Sequence, residues 1–127
     1  MQYIHSDKAP KPVGPYSQAV KAGEFIFCSG QIGLVPETSQ IIEGGVKAQT
    51  VQIFANIIEV LKAAGASLED VVKAQIFLKD ISDFAEVNKI YAEFFSDHKP
   101  ARDTVEVASL PLNTLVEISI TAYKSNI

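Results

Sequence analysis

The sequence predicts an α+β fold, a mixed β-sheet with two helices on one face. Two stretches, 46–64 and 83–95, place apolar residues at helical spacing. Shorter apolar stretches before, between and after them have the length and alternation of strands. The order is β-β-β-α-β-α-β-β, which mixes the two element types in one small chain of 127 residues. That length suits a single domain spanning 1–127.

Taken in order, residues 3–5 form a short edge strand and 9–14, with Pro10, Pro12 and Gly14, an irregular loop. Residues 16–21 and 25–29 flank Ala22-Gly23-Glu24 as a hairpin. Residues 36–45 are polar and turn-rich, hence a loop. Val46, Thr50, Ile53, Phe54, Ile57, Ile58 and Leu61 make the stripe of the first helix, and Gly65 stops it. Ser67 with Asp70 forms a capping box over one turn. In Val71–Leu78, Val72, Ala74, Ile76 and Leu78 share one face, and Val71, Lys73, Gln75 and Phe77 the other. Ser82 is placed to N-cap the second helix, whose stripe is Phe84, Val87, Tyr91, Phe94 and Phe95. Strands at 102–107 and 115–123 close the chain. Two helices cover one side of a sheet, so Phe77 and Tyr123, on the opposite parity, call for a partner subunit in a symmetric oligomer.

The formal net charge is −4 and the eleven basic residues are scattered, which gives no footprint for nucleic acid. The lone Cys28 fits a reducing, cytoplasmic setting and, inside an apolar strand, packs as core filler. No signal peptide and no membrane span is expected. His5 and His98 have no metal-ligand spacing, and neither a nucleophile elbow nor a phosphate loop is present, so no metal or cofactor is expected.

The chemistry-bearing candidates lie in three stretches. In the first, Gly14-Pro15-Tyr16-Ser17-Gln18-Ala19, the Tyr16 phenol either orients a ligand or packs at a strand rim. In the second, Ser29-Gly30-Gln31, Gly30 allows close backbone approach or marks a bulge. The third runs from Pro100-Ala101-Arg102 to Val107 and on to Val116-Glu117-Ile118. Alternation puts Arg102, Thr104 and Glu106 on one face and Asp103, Val105 and Val107 on the other. With the valines turned to the core, Arg102 faces the partner side. Its guanidinium there either pairs with a nearby carboxylate or binds the carboxylate of a ligand. Glu117 interrupts a hydrophobic strand; it either pairs with Arg102 or shares a cavity with it and handles a water. Asn88, on the second helix, reaches a ligand or faces solvent.

These stretches, together with Ala64-Gly65-Ala66-Ser67 and Asp83-Phe84-Ala85-Glu86-Val87-Asn88, resemble the signature blocks of the RidA family (YjgF-like reactive intermediate deaminases) over essentially the whole chain. The resemblance implies a chorismate-mutase-like α+β fold. It also implies a homotrimer whose sheets pack into a central barrel, with sites between subunits. The implied activity is cofactor-independent hydrolysis of 2-iminobutanoate and 2-iminopropanoate, products of pyridoxal-phosphate dehydratases, to 2-keto acids and ammonia. By the same resemblance Arg102 clamps the substrate carboxylate and Glu117 positions or activates water. Tyr16, Ser29, Gly30, Phe84 and Asn88 line the pocket. Thr104 stands where the family usually has cysteine, Asp103 where serine is common and Ser109 where arginine is common; Thr104 puts the rate in question. Alternative readings are a carboxylate-binding regulatory module without turnover, a ribonuclease or translation inhibitor, and a chaperone-like protein.

Overall fold

In the computed structural model, which describes residues 1–125, the chain runs through β1 (Gln2–Ile4), β2 (Ala19–Ala22), β3 (Phe25–Cys28), β4 (Leu34–Val35) and β5 (Gln40–Ile41). It continues through α1 (Gly45–Ala63), β6 (Val71–Leu78), α2 (Phe84–Phe95), β7 (Ala101–Glu106) and β8 (Val116–Tyr123). Six strands form one mixed sheet in the order β1-β2-β3-β8-β6-β7. Only β6 and β7 are parallel, and α2 supplies the crossover that a parallel pair requires. The expected α+β architecture is therefore present. The loop expected over 36–45 carries part of an additional two-stranded ribbon, β4 with β5. Its two-residue strands are too short to show alternation in the sequence.

Each helix forms for a local reason. The stripe of α1 is buried at Val46, Thr50, Ile53, Phe54, Ile57 and Leu61, while Ile58 is half-buried. Gly65, at φ 78°, turns the chain out of α1. There the Ala66 N–H donates to the Leu61 carbonyl and the Gly65 N–H to the Lys62 carbonyl. The Ser67 N–H donates to the Asp70 carboxylate at 2.9 Å, as the capping box requires. Ser82 does not cap α2. A single 3₁₀ turn, Ile81–Asp83, precedes the helix, and the Asp80 carboxylate accepts from the Ser82 N–H. Phe54 of α1 stacks on Phe94 and meets Tyr91 and Phe95 edge-on, which joins the two helices.

The core lies between these helices and one sheet face, formed by Ile26, Ala74, Ile76, Leu78, Val116, Ile118, Ile120 and Ala122. Two parity expectations are corrected. A bulge between Val71 and Lys73 turns Val71 inward and leaves Val72 43% exposed, so Val72 does not share the face of Ala74. On β7, register sets Arg102 beside Ala74 and Thr104 beside Ile76, so both face the helices. Val105, beside Phe77, faces away and is 44% exposed. The assignment of Val105 to the core fails because the uncovered face is itself apolar in part. It carries Phe25, Phe27 and Tyr123, each over 40% exposed. With apolar side chains on both faces, hydrophobicity cannot decide which way an edge strand is turned.

Candidate active site

Arg102 rises from the edge strand β7 toward α2. Phe84, Asn88 and Tyr91 are spaced four and then three residues apart on that helix, so they share a face and meet the side chain together. The Asn88 Oδ1 accepts a hydrogen bond from Arg102 Nη1 at 2.7 Å. The guanidinium carbon lies 4.8 Å from the Tyr91 ring centroid and 5.4 Å from that of Phe84. Such cation–π contacts are each worth about 0.5–2 kcal/mol, the more so where water is excluded.

No carboxylate reaches this guanidinium among the described residues. Asp103, its neighbour in sequence, points the other way and pairs with Lys73 at 2.8 Å. Glu106, on the Arg102 face, accepts from the Ile81 N–H instead. Thus Arg102 is half-buried, oriented by neutral groups and without a counterion, with most of its donor fork unused. Two clefts of about 430 and 440 Å³ adjoin it. One is lined by Gln75, Phe77, Thr104 and Val105, the other by Asn88, Tyr91, His98 and Lys99. The hydroxyls of Thr104 and Tyr91 are the two buried side-chain polar atoms without a hydrogen-bond partner among the described residues.

Glu117 is elsewhere. It opposes Phe77 in the β6–β8 register, on the face turned away from the helices. Arg102 and Glu117 therefore lie on opposite faces of one sheet. The expectation that both occupy the partner-facing side is corrected by the Arg102 parity. Glu117 has no ion pair or hydrogen bond among the described residues, and partial burial raises its carboxyl pKa above 4.5.

Gly30 is the reason Glu117 can sit where it does. A Cβ at Gly30 would lie 2.6 Å from Glu117 Oε2 and 2.9 Å from its Cδ. Gly30→Ala is expected to displace the carboxylate, lowering any Glu117-dependent turnover at least about tenfold while shifting Tm little. A crystal structure of the variant with the carboxylate unmoved would contradict this.

Ser29 acts through its neighbour. Its hydroxyl donates to the Ser17 carbonyl at 2.7 Å and ties down the loop that carries Tyr16. Buried Gln18 anchors the other side of that loop, bonding the Ser6 backbone and the Pro10 carbonyl. Tyr16 itself is 52% exposed. Within one chain, Arg102, Asn88, Phe84 and Thr104 form one group on the helix side, and Glu117 with Gly30 forms a second on the open face. Tyr91 was legible in the sequence only as a core residue of the helix stripe. The i, i+3/i+4 spacing to Phe84 and Asn88 was the signal that it shares their face.

The remaining nucleophiles and ligands have other duties. Burial pushes the Cys28 thiol up to about 12, so it stays protonated. His5 contacts Asp7, and His98 contacts the Val71 carbonyl. Among the described residues no group of three His, Cys, Asp or Glu side chains is placed to hold a metal ion, and no helix is long and apolar enough to cross a membrane.

Residues 6–124 match the family model described as Endoribonuclease L-PSP. Reactive Intermediate Deaminase A of Arabidopsis thaliana, a chloroplastic protein, is 47% identical over 121 residues, covering 95% of this chain and 65% of that longer one. The chain belongs to the RidA (YjgF-like) family. A RutC family protein of Pyrococcus abyssi is 52% identical over 123 residues, 97% of each chain. The crystal structure of RidA from an Antarctic Psychrobacter species superposes with a TM-score of 0.94 at 49% identity, over 97% of this chain and 99% of that one. These relatives place the α+β sheet and its two helices in the RidA fold.

Proposed function

We propose that this RidA-family chain hydrolyses small 2-imino acids to 2-keto acids and ammonia. One observation carries the reading: a half-buried arginine, oriented by Asn88 and two rings, has no acidic partner among the described residues and adjoins an open cleft. A guanidinium held in place at a cleft with most of its donors unused is ready for a ligand anion, and its planar fork matches a carboxylate. The Arabidopsis relative is named as a deaminase of reactive intermediates, which agrees with this reading.

In this reading Arg102 fixes the substrate carboxylate and so presents the C=N carbon in one orientation. Glu117 takes a proton from water as the water oxygen bonds to C2, the C=N π pair moves onto nitrogen, and Glu117 returns that proton to the nitrogen; it then carries the C2 hydroxyl proton to the amine in the same way. The carbinolamine then collapses: the C2–N bond breaks, ammonia leaves, and the C2 oxygen becomes the keto group. The imine is already electrophilic, so a sparse set of groups is adequate. Thr104 needs only to shape the cleft wall, and Tyr16, Phe84 and Asn88 border the bound acid.

Arg102 and Glu117 sit on opposite faces of the sheet, so one substrate can meet both only if a second copy brings its Glu117 to the first copy's Arg102. A closed trimer that sets one copy's uncovered sheet face, where Phe25, Phe27 and Tyr123 are exposed, against the β7 edge of the next, where the cleft beside Arg102 opens next to exposed Val105, would meet that need. Mixing Arg102→Ala and Glu117→Gln subunits by co-refolding is then expected to restore up to about a quarter of wild-type activity, the random fraction of sites with both groups intact. Inactive mixtures of properly assembled subunits would place both groups within one chain's site.

The activity itself is tested with a threonine dehydratase that generates 2-iminobutanoate in the presence of semicarbazide. The protein is expected to lower the yield of trapped semicarbazone, and the Arg102→Ala variant is not. Equal trapping with and without the wild type, alongside measurable keto-acid binding, would convert the reading to a carboxylate-binding module. The dispersed basic residues and net charge of −4 give no support to polyanion cleavage, the activity in the family model's description.

A further inference from the structure

Tyr91 is the one residue of the arginine cluster that the sequence placed wholly in the core. It is 7% exposed, and its hydroxyl has no hydrogen-bond partner among the described residues. Burial raises the pKa of that hydroxyl, so it stays neutral. A buried hydroxyl that bonds nothing contributes no favourable polar contact. Packing alone would be served equally well by phenylalanine. What the position does hold is geometry. The Tyr91 ring lies 4.8 Å from the Arg102 guanidinium carbon, the Phe84 ring lies 5.4 Å from it, and Asn88 holds Nη1. The Tyr91 ring is itself fixed by Phe54 and Phe95, with centroids 6.0 and 4.6 Å away. The arginine is thus held by a ring whose orientation the inter-helix core determines.

We propose that Tyr91 is a positioning residue: its ring face, with that of Phe84, immobilises the Arg102 guanidinium before any ligand arrives. The flexible arginine side chain then loses little further freedom when an anion binds. The role belongs to the ring, not to the hydroxyl. This rests on the reading of Arg102 as the carboxylate clamp, but the restraint itself can be measured without substrate.

Three proteins decide it: wild type, Tyr91→Phe and Tyr91→Leu, with Phe84→Leu in reserve should Tyr91→Leu fail to fold. Nitrogen-15 spectra of the guanidinium report rotation about the Arg102 Nε–Cζ bond. Slow rotation is expected in the wild type and Tyr91→Phe, and fast rotation in Tyr91→Leu. In the imine assay, Tyr91→Leu is expected to raise KM about 3- to 30-fold with kcat nearly unchanged, and Tyr91→Phe to restore it. Removing the orphan hydroxyl should leave the Tm of Tyr91→Phe equal to or above that of the wild type. Fast rotation in the wild type would overturn the proposal without any variant. So would a KM rise in Tyr91→Phe as large as in Tyr91→Leu, which would give the role to the hydroxyl. Slow rotation in a wild type that hydrolyses no imine would sink the enzymatic reading and leave the restraint standing.

Discussion

Arg102→Ala is expected to lower kcat/KM for 2-iminobutanoate at least about 100-fold while leaving the fold intact. The two charge-assisted hydrogen bonds of a bidentate pair are worth about 1.5–3 kcal/mol each, and about 1.4 kcal/mol is a factor of ten. Tm should fall modestly but the fold should survive, because the described contacts of Arg102 are one hydrogen bond and two ring faces at a half-exposed edge, with no ion pair. Arg102→Lys should recover only a small part of the loss. An ammonium is a compact charge that cannot reproduce the planar fork. Steady-state rates, with Tm measured on the same samples, check this. An Arg102→Ala protein with a normal Tm and more than half the wild-type activity would remove the arginine from the mechanism.

Glu117→Gln should separate activity from stability. A general base contributes about 10²- to 10⁴-fold to a rate, so a kcat loss in that range is expected. Stability should move the other way. Burial raises the Glu117 carboxyl pKa above 4.5, so the folded chain binds that proton more tightly than the unfolded chain does. The favourable contribution is present at low pH and is lost as pH rises through the raised value. At neutral pH the ionised carboxylate therefore costs stability, and glutamine, which carries no charge there, avoids that cost. The Tm of Glu117→Gln should exceed that of the wild type most at neutral pH, and the gap should close as pH falls and the carboxyl becomes protonated in both the folded and the unfolded chain. A variant less stable than the wild type at neutral pH would mean that Glu117 has a stabilising partner in the assembled protein.

Strict spacing and punctuation were legible without coordinates. The stripe of α1, its stop at Gly65 and the Ser67–Asp70 cap each follow from a handful of neighbouring residues, and the structure holds all three. The Ser82 cap was less secure, because Asp80 two residues earlier offers the same chemistry and takes the bond. Arg102, Glu117, Gly30 and Asn88 were found as residue types in odd settings: charge in a strand, glycine at a strand end, an amide on an apolar helix. Tyr91 was hidden because an aromatic in a helix stripe looks the same whether it fills a core or faces a guanidinium.

The sequence by itself therefore determined the element types, the RidA relationship and the short list of polar residues that do not belong to a core. All of these rest on local spacing and residue chemistry, which contiguous residues contain in full. Only the tertiary structure decided which face each residue of β7 occupies. Alternation specifies that Arg102 and Val105 point opposite ways, but the choice between the two faces comes from pairing with β6 across a parallel crossover. That pairing turned Arg102 toward α2, away from Glu117, and brought Tyr91 to its guanidinium. The bridge between Gln31 and Ile118 likewise sets a Cβ-free backbone at Gly30 against Glu117, a contact between residues 87 positions apart. Long-range register of this kind is fixed by the packing of whole elements, and no window of neighbouring residues carries it.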